Sequence, residues 1–438
     1  MTARKHLKQL VRARMARTGE SYATARRHVV ASAGAESTAA RFLHFTGSVP
    51  AATTLRALLA NAGVLAPHTR QPFTEAMVFG LGGGIGAGMF AFRYEKENFS
   101  SFYLAGRHLW DDDVAWFERA AKRIGAATHV REAGGARVAE RELRDALAAG
   151  PAAAWVDAGS LPYRAMPAEW SGGGYHVLTV YEIDDAAGTA IVGDLTDDPI
   201  PLPLTDLAAA RGRIRKQRNR VLTIGPGAPV DLGTAVRDAL AACHHGLLHG
   251  RSRNFTLDGF RLWAERLHGD EGRESWTRTF PRGRALWQGL RSIHDFIEHY
   301  GTGGGLCRPM FAEFLAEAGA ALEQPRLVVL GRRYARIGEL WTELASAALP
   351  AQVPELAETR RLLTHKAELL HSGGAAATEA VRAAWRDLDA LADRVADRFP
   401  LDDDAALRLR RDLQQRAHAI HAEEQAAADA LAEVTRGG

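Results

Sequence analysis

The stretch "PGAPVDL" at residues 226–232 divides this chain into halves that obey different hydrophobic rules. Before it, helical patterns such as "PAATTLRALLANAG", "DVAWFERAAKRIGA" and "AERELRDALAAG" are mixed with short apolar runs. The runs "THVRE", "AAAWVDA", "YHVLTVYEID" and "TAIVGDL" read as strands. After it, nearly every segment repeats its apolar residues at three- and four-residue spacing, ending in a helix at residues 405–435. Helices followed by antiparallel strands predict an α+β fold for residues 41–225. Residues 226–438 are expected to form an all-helical domain, and 438 residues are enough for such a division.

The charge balance narrows the function. Net charge is only +3, so the molecule as a whole is not an electrostatic binder of nucleic acid. Positive charge concentrates in residues 1–40, where Arg4, Lys5, Lys8, Arg12, Arg14, Arg17, Arg26 and Arg27 face only Glu20 and Glu36. This basic arm reads as a helical hairpin, either a solvated surface or a dock for an acidic partner. Two cysteines, Cys243 and Cys307, sit in no cluster, which excludes a disulfide scaffold and a cysteine-rich zinc site. No run of about twenty apolar residues suggests a membrane span, and a cytoplasmic location is expected. Scattered histidines give no metal site, and no cofactor is expected.

Chemistry concentrates in "GGGYHVLTVYEIDDAAGTAIVGDL", residues 172–195. "DDAAG" turns the chain between two strands, so His176 near the start of one and Asp194 at the end of the other should meet across the pair. An aspartate so placed fixes the tautomer of a histidine base. Tyr175, beside His176, joins the substrate-binding candidates. The start of the helix after "HFTGSV" offers Ser48, which is either a nucleophile or simply the helix N-cap. "GLGGGIGAG", residues 80–88, follows a short helix capped by Thr74, which argues against a dinucleotide fold. Gly82, Gly83 and Gly84 there either present backbone N–H groups to a ligand or oxyanion, or only pack.

Several segments together resemble the butirosin biosynthesis protein H family. They are "TEAMVFGLGGGIGAGMF", "WVDAGSLPY", the His176–Asp194 hairpin and "LAAARGRIRKQRNR". "FRLWAERLHGDEGRESWTRTFP", "IEHYGTGGGLCRPMFAEFLAEA" and "LWTELASAALP" are similar to the helical domain that usually follows. The resemblance implies a papain-like, cysteine-peptidase-type N-terminal domain with an antiparallel sheet. It also implies acyl transfer from an acyl-carrier-protein thioester to an amine. His176 and Asp194 would be the base and its orienting group, and Asp157 and Tyr163, which match a family segment of unassigned role, join His44 as substrate-binding candidates. The family's usual cysteine is missing: "HFTGSVPAATTLRALL" retains His44 but places Phe45 or Pro50 where that cysteine would stand.

The expectation is therefore an acyltransferase forming an amide or ester, with a carrier-protein or coenzyme A thioester as donor and a small amine or peptide as acceptor. It works through Ser48 or by direct transfer. A non-catalytic binding subunit and a thioester or amide hydrolase are the alternatives. The helical half either covers the active site or forms a homodimer interface.

Overall fold

In a computed structural model the described residues are 42–86, 88–94, 99–105, 113–268 and 275–436. Residues Phe45–Gly438 form one compact unit and Met1–His44 another. The basic arm at 1–40 lies outside the described residues.

The first half is α+β, as its patterns predict. Helix α1 (Pro50–Asn61) starts with proline at its first turn, and α2 (Glu75–Leu81) is capped by Thr74, whose Oγ1 accepts from Met77 N. Then come a hairpin of β1 (Gly88–Tyr94) and β2 (Phe99–Ala105), helix α3 (Asp113–Ile124), strand β3 (Ala126–Arg131) and helix α4 (Ala136–Leu147). Strands β4 (Ala152–Asp157), β5 (Tyr175–Asp184), β6 (Thr189–Gly193) and β7 (Ile200–Pro203) follow, then α5 (Leu204–Arg213) and β8 (Val221–Pro226). A six-stranded antiparallel sheet runs in the order β3-β8-β4-β5-β6-β7.

Strand β4 explains why its sequence is apolar without alternation. Ala153 and Trp155 face a core that contains Leu55 and Leu58 of α1 and Phe117 of α3. Ala152, Ala154 and Val156 face a second core with Leu143 of α4 and Leu207 of α5. Both faces of the sheet are covered, so a strand at its centre has no solvent side on which to place polar residues.

The second half is helical: α6 (Leu232–Leu248), α7 (Leu257–Arg266), α8 (Trp276–Thr279), α9 (Arg284–Glu298), α10 (Arg308–Ala321), α11 (Pro325–Ala348), α12 (Pro354–Gly373), α13 (Thr378–Asp397) and α14 (Asp403–Arg436). The larger core continues from Val49 before α1 to Leu431 in α14. Residues 226–232 thus mark a change of secondary structure within one shared core. Among the described residues no helix is long and apolar enough to cross a membrane.

"GTGGG", residues 301–305, breaks the helical pattern for a steric reason. Gly301, Gly303, Gly304 and Gly305 all have positive φ, and the loop lies against the start of α1. A Cβ on Gly303 would stand 2.9 Å from Ser48 Cβ, and one on Gly301 would stand 3.2 Å from Pro50.

Candidate active site

His176 and Asp194 meet, and a β-bulge makes it possible. Between Asp184 and Glu182, β5 pairs with β6 in one register; from Val180 onward the register is shifted by one. Thr179 lies opposite Gly193, so Asp194 continues opposite Leu178, on the same sheet face as His176 two residues back. Without the shift Asp194 would follow Thr179 onto the other face, because a one-residue slip inverts every side chain. The contact is diagonal across the pair: His176 Nε2 lies 2.8 Å from Asp194 Oδ1. Tyr181 occupies the bulge, with its ring over Gly193.

A Cβ at residue 193 would lie 2.6 Å from the Tyr181 ring, so Gly193→Ala should destabilise the protein by about 1–3 kcal/mol, the range for overpacking. Denaturant unfolding measures it; an unchanged midpoint would show that the bulge does not depend on this contact.

Three side chains share the Asp194 carboxylate, and Leu195 N donates to its Oδ1 at 2.9 Å. Tyr163 OH donates to Oδ2 at 2.7 Å and Arg164 Nη2 donates to the same oxygen at 2.8 Å. Arg164 Nη2 is also 3.0 Å from His176 Nε2. Burial pushes the Asp194 carboxyl up, but the Arg164 charge and the hydrogen bonds from His176 and Arg164 outweigh it and hold it well below the usual carboxylate range. The ionised carboxylate accepts a hydrogen bond from Nε2–H of a neutral ring, which leaves the Nδ1 lone pair as the base. Burial, and then the Arg164 charge, lower the imidazole's pKa despite Asp194. This differs from a simple triad, in which the carboxylate supports an imidazolium. Here Arg164 has already balanced the carboxylate, and the histidine is held neutral.

A cavity of about 330 Å³ adjoins Tyr163, Arg164 and Asp194, while His176 lies buried behind them and outside its lining. Asp194, Arg164 and Tyr163 line one side, with Gly47 and Ser48 nearby and a wall from α9, α12 and α13 that includes Arg291, Asp295 and Lys366. Lys366 is buried, 3.4 Å from Asp295 and 4.3 Å from the Trp385 ring centre. Its pKa is lowered by burial. The helical half therefore builds part of the site. Of Arg164, Arg291, Asp295 and Lys366, only Arg164 has a local sequence signal, its place next to Tyr163.

Other expected site residues lie elsewhere. Ser48 lines the cavity, but its Oγ makes no hydrogen bond to His176. Ser48 is not the cap of α1 either: Val49 takes that position, and the Glu75 carboxylate accepts from Ser48 N (2.9 Å), Val49 N (2.7 Å) and Thr53 Oγ1 (2.7 Å). These N–H groups are already bonded and are not available to an oxyanion. Gly82, Gly83 and Gly84 are buried, and side chains fill the space beside two of them. A Cβ on Gly82 would enter the Trp116 ring, and one on Gly84 would meet Phe311 and Cys243.

Asp157 is structural rather than substrate-facing. Completely buried, it accepts from Ser160 Oγ, Ser171 Oγ, Gly172 N and Gly174 N, and so ties down the segment that carries Tyr163 and Arg164. Tyr175 is 46% exposed at the start of β5 and is not part of the cavity wall. His44 belongs to the separate unit Met1–His44. Neither cysteine replaces the missing nucleophile: both are buried, and burial pushes the Cys307 thiol up to about 12.

Comparison with known families matches this architecture. Residues 50–195 match the family described as Butirosin biosynthesis protein H, N-terminal, and residues 204–372 match the Domain of unknown function (DUF4872). The chain belongs to the butirosin biosynthesis protein H-like family. Among curated proteins no match is found. The N-terminal match ends at Leu195, one residue after Asp194, and so contains the whole hydrogen-bonded group of Tyr163, Arg164, His176 and Asp194. The helical match contains Arg291, Asp295 and Lys366, so the cavity is built from both parts of the family's architecture.

The histidines make stability depend on pH. His176 and His294 are lowered from their ordinary 6.5 and His299 is lowered to about 4, in each case chiefly by burial. Below 6.5 the unfolded chain binds protons that the folded chain refuses, so stability falls as pH falls. Asp194, held low, adds stability that is lost only below the ordinary carboxylate range. Thermal unfolding should therefore show a plateau above pH 7 and a decline from about 6.5 towards 4. A midpoint independent of pH across that window would contradict the burial of these rings.

Proposed function

We propose that this chain is an amide-forming acyltransferase of a biosynthetic pathway, taking its acyl group from a carrier-protein or coenzyme A thioester. The observation that carries this reading is the orientation of His176. Its Nε2 is fixed on Asp194, its ring is neutral at physiological pH, and its Nδ1 makes no hydrogen bond among the described residues. The family's name, which refers to a biosynthesis protein, supports the setting.

In the proposed reaction the amine nitrogen attacks the thioester carbonyl and a C–N bond forms. His176 Nδ1 accepts the proton that the nitrogen must lose. The C–S bond then breaks, and the leaving thiolate takes the proton back from the imidazolium, so the enzyme ends unchanged. Because Glu75 occupies the N–H groups at α1, charge on the tetrahedral oxygen is assigned to the cationic wall of Arg164, Arg291 and Lys366. No covalent acyl-enzyme is required, which suits a site without a cysteine, and the papain-like relationship of the sheet and α1 is part of the same proposal.

Free-thiol release from a panel of acyl thioesters, with and without amines, tests this. Amine-dependent release with an amide product by mass is expected. Equal release without amine, giving the free acid, would make the protein a hydrolase. A binding subunit is favoured by two observations, the Glu75 carboxylate at α1 and the neutralisation of Asp194 by Arg164. Saturable donor binding with no thiol release would establish that reading instead.

A further inference from the structure

A second cavity, of about 900 Å³, lies over α4 and α5, apart from the one beside Asp194. Its charged lining consists of Arg137, Glu140, Arg211, Arg215 and Arg218. Glu140 is paired with Arg144 at 3.0 Å and Arg218 with Glu132 at 3.3 Å. Arg137, Arg211 and Arg215 form no ion pair among the described residues.

Arg211 shows that the site is built. It is only 3% exposed, yet it faces no carboxylate. Nη2 is anchored on the carbonyl oxygens of Asn219 (2.8 Å) and Ala139 (3.2 Å), while Nε has no partner. A buried guanidinium without an anion is costly, and burial alone pulls its pKa down to about 10. Helix α4 begins at the same place. Gly135 is its N-cap and offers no side-chain bond, no acidic residue occupies the first turn, and Gly134, Ala136 and Arg137 line the cavity. The unpaired N–H groups of a twelve-residue helix add positive potential there.

We infer that this cavity binds a phosphorylated small molecule, with the phosphoryl group between the start of α4 and Arg211. Three uncompensated arginines and a helix N-terminus match a dianion, and arginine forks suit phosphate oxygens. The cavity exceeds the size of a bare anion, and Leu143, Ile183, Leu204 and Leu207 give it an apolar floor for the rest of the ligand. The inference is independent of acyl transfer at His176.

Calorimetric titration of the full chain with inorganic phosphate and with adenosine monophosphate tests it. The wild type should bind saturably. Arg137→Glu/Arg215→Glu, which changes only exposed side chains, should weaken binding about tenfold or more with the circular dichroism unchanged. His176→Ala should bind as the wild type does. Tighter binding of the nucleotide would assign the apolar floor to the ligand's body; equal affinity would assign the site to free phosphate. The inference is overturned if neither probe binds at millimolar concentration, or if the double variant binds as well as the wild type.

Discussion

His176→Ala should lower amine-dependent thiol release by about 10²- to 10⁴-fold, the usual contribution of a positioned general base. The loss should be confined to turnover. His176 contributes a hydrogen bond to Asp194, but Arg164 and Tyr163 remain on that carboxylate in the variant and keep its charge compensated. The fold should therefore survive, and donor binding should change little. Asp194→Asn should be less tolerated, since it leaves Arg164 without its carboxylate. Turnover by His176→Ala within a few-fold of wild type would remove the histidine from the mechanism.

The largest stability effect is expected far from His176. Arg308 and Glu424 are both completely buried, with Arg308 Nε 2.7 Å from Glu424 Oε1. Glu424 also accepts from Trp341 Nε1 at 2.9 Å, and Arg308 Nη1 donates to the carbonyl oxygens of Leu306 and Gly86. Removing one ion strands the other where water cannot reach it. Glu424→Leu should therefore destabilise the protein by about 3–5 kcal/mol, whereas Arg308→Met with Glu424→Leu should recover most of that loss. Denaturant unfolding of the two variants measures the difference. A single variant as stable as the wild type would contradict the buried pairing.

What is legible in the sequence depends on the range of the interactions. The helices of the second half, the β5–β6 hairpin and the His176–Asp194 pair were legible because period and turn chemistry are local. The β1–β2 hairpin and β8 were not read as strands: "GMFAFRY" continues directly from the glycine loop, and "VLTIGP" runs into the Pro/Gly segment. The bulge at Tyr181 was also invisible, although it decides which face Asp194 occupies. Glycine composition alone could not separate a ligand loop from a packing loop, because Trp116 and Phe311, which fill the space beside Gly82 and Gly84, come from distant segments. Arg291 and Lys366 look like ordinary helix residues until α9 and α12 carry them to the cavity. Asp157 is a polar residue ending an apolar strand, and its role emerges only from four contacts with the following segment.

The most direct test of the central claim, that His176 is a neutral base held through Nε2, needs no knowledge of the substrate. It is the pH titration of the His176 ring by nitrogen-15 NMR, in the wild type and in Arg164→Met. The account predicts a neutral ring protonated at Nε2 at pH 7, with a pKa below the ordinary 6.5 that rises when the Arg164 charge is removed. A wild-type ring that is charged at pH 7, or that carries its proton on Nδ1, would contradict it.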